Sequence, residues 1–426
     1  MAVLVLVACA GPSAGHKLVL NAKIAAHDWS GAEAQLEASK DSQYGDKNAV
    51  LFWMDKAAVL HDASRFQESD ALLDLAEQKL DALYTQSISR AGGNFLINDN
   101  TDEYRGEPHE RALLHVLRAL AFAYQDRNDD AVVEARKVSA FLSELNDKLG
   151  PTQVYRDDAF AQYVSALLFE DAGRSDDARI SLASARATYD WYGSKYGTPQ
   201  PEFDPGVGSP GDGELVLLHY NGVAPRRVSQ TIQVAWNDAI ALVNASKEGD
   251  DEDQAKNAVV AGLASNAVTV AFPAHVLDSF RIRASEVEIE GMKTKTVLVE
   301  DIAAIAAKAL EDRNTAIRAR AVVRATLKFI AAKVAEAQTK KHAGEGWGML
   351  AGIVARAASA ATEVADTRCW GTLPAEIRMA RLRLPPGHHV VNVSYLDEAG
   401  ALISVESVDV ETKPGKRTWV HVRSAS

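Results

Sequence analysis

One turn signature, repeated four times, limits what this chain can fold into. Trp29-Ser30-Gly31-Ala32, Phe66-Gln67-Glu68-Ser69, Asn128-Asp129-Asp130-Ala131 and Ser175-Asp176-Asp177-Ala178 each follow an apolar helical stretch and open another. The polar residues suit a turn and helix N-cap, and the small fourth residue lets the second helix pack closely on the first. Successive copies are 37, 62 and 47 residues apart, against about 34 in an ideal tetratricopeptide (TPR) repeat. Residues 10–196 are therefore expected to form degenerate TPR-like helix pairs with insertions. The largest insertion, residues 87–110, carries Tyr104, Arg105, Gly106 and Glu107. Stacks of this kind commonly bind peptides or partner proteins along their concave face.

Residues 197–213 are rich in proline and glycine and read as a linker. The G-x-G-x-x-G string at 206–211 lies inside it, follows Asp204-Pro205 rather than a strand, and is interrupted by Pro210. A dinucleotide fingerprint needs a strand before it and a helix after it, so no nucleotide site is expected.

Beyond the linker the hydrophobic period shortens to two. Residues 214–220 read as a strand, and 281–289 with 293–299 read as a hairpin turning at Glu290-Gly291-Met292. Residues 300–364 are helical by period. Ala316, Ala319, Val323, Leu327, Ile330 and Val334 line one face, and Arg313, Arg320, Arg324 and Lys328 another. Residues 377–384, 389–395, 402–410 and 418–422 read as strands with turns at Pro385-Pro386-Gly387, Glu398-Ala399-Gly400 and Pro414-Gly415. Before them, Asp366 and Arg368 are placed to form an ion pair beside Trp370, pinning the helix to the next strand.

The expected class is α+β and multidomain: a signal segment (1–9), the all-α TPR-like repeat (10–196), the linker, a β-rich segment (214–299), a helical insertion (300–365) and a sandwich-like β part (366–426). No H-E-x-x-H, G-x-S-x-G or Walker sequence is present, and His388 and His389 fall on opposite faces of a strand. The acidic run at residues 248–253 lacks the spacing of an EF-hand loop. No catalytic, metal or cofactor residues are assigned, and an enzyme is not expected. A formal net charge of −12 argues against general attraction to nucleic acid.

The opening segment MAVLVLVACAG contains Leu6-Val7-Ala8-Cys9, the order of a bacterial lipobox with Cys9 as the lipidated thiol. The apolar run is short for a signal segment and no Lys or Arg precedes it, so a basic stretch is expected upstream of Met1. Ala10, which is not aspartate, favours the outer membrane over inner-membrane retention.

The combined pattern resembles a family of uncharacterised Gram-negative bacterial lipoproteins with TPR-like repeats. The resemblance rests on Tyr104-Arg105-Gly106-Glu107, on residues 131–136 (AVVEAR), on Tyr220-Asn221-Gly222-Val223-Ala224-Pro225, and on the ADTRCWGTLP segment at 365–374 that holds Asp366, Arg368 and Trp370. It implies a lipid-anchored protein of the outer membrane facing the periplasm, with protein partners in the envelope and a membrane contact through Cys9. By association with lipoproteins that activate penicillin-binding proteins, it implies a link to peptidoglycan synthesis. Two other expectations stand beside a scaffold: an envelope glycan-binding protein or hydrolase, and a structural part of an outer-membrane secretion or flagellar assembly.

Overall fold

A computed structural model of the chain describes residues 11–90, 102–149, 155, 157–203, 209, 211–245, 267–343 and 365–425. Cys9 with its lipobox, most of the G-x-G-x-x-G string and the acidic run at 248–253 lie outside the described residues. Helices come first and sheets second, in a mixed α and β structure.

Eight helices form four consecutive pairs: α1 (Ala14–Ala25) with α2 (Trp29–Ser39), α3 (Ala49–Asp62) with α4 (Phe66–Arg90), α5 (Pro108–Ala123) with α6 (Asn128–Leu149), and α7 (Ala159–Asp171) with α8 (Ser175–Lys195). Each recurring signature opens the second helix of a pair, where Ala32, Ser69, Ala131 and Ala178 are buried against the first helix. A side-chain cap supports the first of these turns: Asp28 accepts from the Gly31 N–H at 2.9 Å.

The two members of a pair differ in burial. In α5 and α7 nearly every residue is buried, including Ala112 to Ala123 and Ala159 to Phe169. α3 is the same from Ala57 to His61. A helix buried all round has neighbours on both sides. Here the second neighbour is the chain's own C-terminal half, since α3 packs on β10 (Arg417–Ser424), α7 on β6 (Val297–Glu300), and α5 on α10 (Ile302–Ala343). One core accordingly contains Leu51, Leu113 and Phe160 from the helices together with Leu218, Val299, Ile302, Trp370 and Trp419 from the other half.

The remaining strands are β1 (Gly213–Asn221), β2 (Arg226–Ala235), β3 (Ala267–Val276), β4 (Ala284–Ile289), β5 (Met292–Lys295), β7 (Glu376–Leu384), β8 (Gly387–Leu396) and β9 (Leu402–Thr412). They form sheets of order β10-β1-β7-β6 and β5-β4-β8-β9, plus a separate β2-β3 ribbon. Among the described residues, all pairings are antiparallel except β1 with β10. The inward rows of the two larger sheets share a second core of Leu215, Leu217, Val287, Leu382, Val391 and Val393. The β4–β5 turn has Glu290 at φ 50° and Gly291 at φ 85°, the positive pair of a two-residue hairpin. At Gly222 (φ +67°) a Cβ would stand 2.8 Å from the Phe280 ring, so that turn accepts only glycine.

The ribbon and α9 (Trp236–Ala245) were not legible in the sequence. With the middle of α10 they build a third, small core of Trp236, Val268, Val270, Val322 and Ala325. Among the described residues, no helix is long and apolar enough to cross a membrane.

Candidate functional site

Two of the four segments that carried the sequence resemblance, Tyr104–Glu107 and residues 365–374, meet inside the molecule. Gly106, at φ +67°, turns the chain into α5, Pro108 occupies the first helical position, and the Glu107 N–H donates to Glu110 Oε2 at 2.8 Å. Glu110 is thereby aimed inward, where it also accepts from the Tyr104 hydroxyl and, at 2.7 Å, from the backbone N–H of Trp370. The expected Asp366–Arg368 ion pair forms as a fork, with Nε to Oδ1 at 2.9 Å and Nη2 to Oδ2 at 2.8 Å. The ring beside this guanidinium is that of Tyr104, 5.6 Å away, rather than Trp370. Arg368 is 1% exposed and also donates to the Asp102 carbonyl at 2.8 Å and to Asn48 Oδ1 at 3.2 Å. The segment is therefore fastened to the helical half as well as to the next strand.

The Trp370 indole N–H instead donates to Thr372 Oγ1 at 3.1 Å. Thr372 passes the chain on to Asp55 Oδ1 at 2.9 Å, and Tyr44 donates to Asp55 Oδ2 at 2.9 Å. Of the sequence-singled residues, Tyr104, Glu107, Asp366, Arg368 and Trp370 thus share one junction. Arg105 stands at its margin, 3.9 Å from Asp102.

Arg227 and Asp55 had no local motif to reveal them, and the basic stripe gave Arg313 no link to this junction. Glu107 is gripped by Arg227 from β2 and Arg313 from α10, each at 2.5 Å. Burial alone would raise the Glu107 carboxyl, but the two guanidiniums outweigh it and hold the group well below the usual range. Glu110 moves upward, through burial and then the neighbouring Glu107 charge. Asp55 is raised by burial against its hydrogen bonds. His109 is pushed down to about 4 by burial, so the imidazole is neutral in the fold.

Cys369 is a buried free thiol, with Lys17 Nζ 3.3 Å from its sulfur and the Pro225 carbonyl 3.8 Å away. The carboxylates here are each already held by several donors, and the arrangement acts as a rivet between the two halves. As candidate interaction residues, Tyr104, Glu107, Arg368 and Trp370 are too deeply buried to meet a partner. Within the expected basic stripe, Arg313 is committed to Glu107, and the side chains of Arg320, Arg324 and Lys328 lie outside the described residues.

Among the described residues, one group has metal-like spacing: Glu77, His115 and Glu134, with ligand atoms within 4.8 Å of one another. Two cations already occupy it. Arg118 contacts Glu77 and lies 3.5 Å from Glu134, and Lys137 lies 2.8 Å from Glu77 and 3.1 Å from Glu134. Their charges balance the carboxylates without an ion, so the cluster fits a fastening of α4, α5 and α6 better than a metal centre. His388 and His389 diverge as strand alternation requires, the first exposed beside Asp409 and the second buried on Glu290 at 2.9 Å.

No family model, curated protein or solved structure matches the chain.

Proposed function

We propose that this protein is a lipid-anchored scaffold of the bacterial outer membrane, facing the periplasm, whose TPR-like helix pairs hold a partner protein on their outer face. Anchorage through Cys9 and the envelope setting rest on the lipobox and on the sequence resemblance. The helix pairs are TPR-like in their order and turn chemistry, and the two sheets sharing one core are sandwich-like.

The single observation that carries the docking role is the division of the helices. α3, α5 and α7 are covered by the chain's own C-terminal half, so the groove that such repeats usually offer is filled from within. The second helices remain open and present large apolar side chains to solvent. Val133 on α6 is 50% exposed and Ile180 on α8 is 57% exposed, each two residues past the small residue of its turn signature. Leu75 on α4 is 45% exposed. Apolar side chains recurring at matched places on successive repeats suit a partner that crosses several repeats.

Crosslinking in intact envelopes, with a photo-reactive residue at position 133 or 180, tests this reading. A discrete protein adduct is expected at both positions and not at an equally exposed residue on the sheets, such as Val390. The absence of any adduct from the α6 and α8 positions would count decisively against it.

A further inference from the structure

A cleft of about 300 Å³ opens at one end of the molecule, where both halves contribute walls. Its floor is Arg417, whose side chain is 7% exposed. All five guanidinium N–H groups are used: on Glu214 at 3.2 and 3.0 Å, on Asp171 at 2.5 Å, on Glu170 at 2.9 Å and on the Leu167 carbonyl at 2.7 Å. Arg381 braces Glu214 from behind at 2.5 Å, and the Trp419 indole N–H donates to Asp171 at 3.0 Å. The floor is therefore held firmly and saturated in donors, while its carboxylates retain lone pairs beyond those these bonds use.

The rim differs from the floor. Arg383, at the end of β7, and Lys416, in the turn before β10, are exposed and line the cleft, and among the described residues neither is paired. The Asp212 carboxylate, also in the lining, accepts the Ser209 backbone N–H at 2.7 Å, and its carbonyl accepts the Gly415 N–H at 3.2 Å. The lining thus offers fixed acceptors below and free cationic donors above.

We infer that this cleft binds a neutral polyhydroxylated ligand of the size of one or two sugar rings. A cation would have to compete with Arg417 for Glu170, Asp171 and Glu214 and with Lys413 for Asp126, and would share the cleft with Arg383 and Lys416, whereas an anion would face five lining carboxylates, Asp126, Glu170, Asp171, Asp212 and Glu214. An apolar ligand would bury these charges without compensation. Hydroxyl groups suit both surfaces, because each donates to a spare carboxylate lone pair and accepts from Arg383 or Lys416. The volume lies at the lower end of the range for small-molecule sites, roughly 300–1,000 Å³. This inference is independent of the docking role assigned to the outer helices.

Backbone amide shifts of the intact protein, titrated with maltose, cellobiose and N,N′-diacetylchitobiose, test it. At least one of the three is expected to give saturable shifts at Gly415 and Lys416. The double substitution Arg383→Ser with Lys416→Ser is expected to weaken that binding at least about fivefold, with thermal unfolding unchanged because neither side chain is buried or paired. Failure of all three sugars to saturate by about 20 mM would overturn the inference. Binding retained in the double variant would overturn it too, as would shifts produced at these residues by inorganic phosphate or glutamine instead.

Discussion

Glu107 and Arg313 are 206 residues apart in sequence, yet Oε2 of one and Nη2 of the other are 2.5 Å apart. With Arg227 on the other oxygen, this carboxylate joins the start of α5 to the β2-β3 ribbon and to the long helix α10. A buried charge held in this way is costly to orphan, and its removal leaves two guanidiniums uncompensated.

Glu107→Ala should therefore lower stability by about 3–5 kcal/mol in denaturant unfolding. The pH dependence has a definite sign. The folded carboxyl is held below its ordinary value, so its contribution is complete above that value and fades as pH falls through the folded one. The penalty of Glu107→Gln should shrink in strongly acidic solution, and a penalty that grew on acidification would contradict the assignment.

Glu300 is the opposite case. It ends β6, is fully buried, and neither oxygen has a hydrogen-bond partner. Burial, and then Asp158 and Asp301, raise its carboxyl well above the ordinary range. Such a group favours the folded state only while protonated, and that advantage is lost as pH rises from the unfolded value toward the folded one. Glu300→Gln should raise the melting temperature at neutral pH by several degrees, with the gain narrowing below about pH 4.5. A melting temperature lowered at every pH would show that the carboxylate is paired.

Trp370 and His388 should separate sharply. Trp370→Ala empties a fully buried site and breaks the chain to Thr372, which should cost about 3–5 kcal/mol. His388→Ala, exposed beside Asp409, should change stability by less than about 0.5 kcal/mol.

The strands were legible where alternation is clean. Residues 377–384, 389–395 and 402–410 fall within β7, β8 and β9, and 214–220 within β1. The β2-β3 ribbon escaped because Pro273 sits in β3 and reads as a strand breaker. It is tolerated there because a two-stranded ribbon leaves each strand an unpaired edge. Covering of the inner helices had a visible signal in α7, which is apolar nearly all round, but not in α5, whose Arg111, His115 and Arg118 form a polar stripe that carboxylates of α4 and α6 cover. The junction was legible only by halves. The Asp366–Arg368 pair is local and could be read, whereas Arg227 and Asp55 carry no motif and Arg313, legible only as part of a basic stripe, reaches the junction through tertiary packing. Tyr104 replaces Trp370 as the ring beside Arg368 for the same reason.

Lipid attachment follows from the proposed anchorage. In a full-length precursor expressed in a Gram-negative host, labelled fatty acid should be incorporated and Cys9→Ser should abolish it. Cys369→Ser should leave labelling intact, because Cys369 is buried beside Lys17.

The central claim is that the chain's own β half completes the inner face of its helix pairs. Expression of residues 11–203 alone tests it most directly, because the segment would expose Leu51, Leu113, Phe160 and their neighbours. The fragment should bind a hydrophobic dye and unfold without a cooperative transition, and residues 209–425 supplied in trans should restore that transition. A fragment that unfolds cooperatively as a monomer, with no dye binding and no response to the second half, would contradict the account.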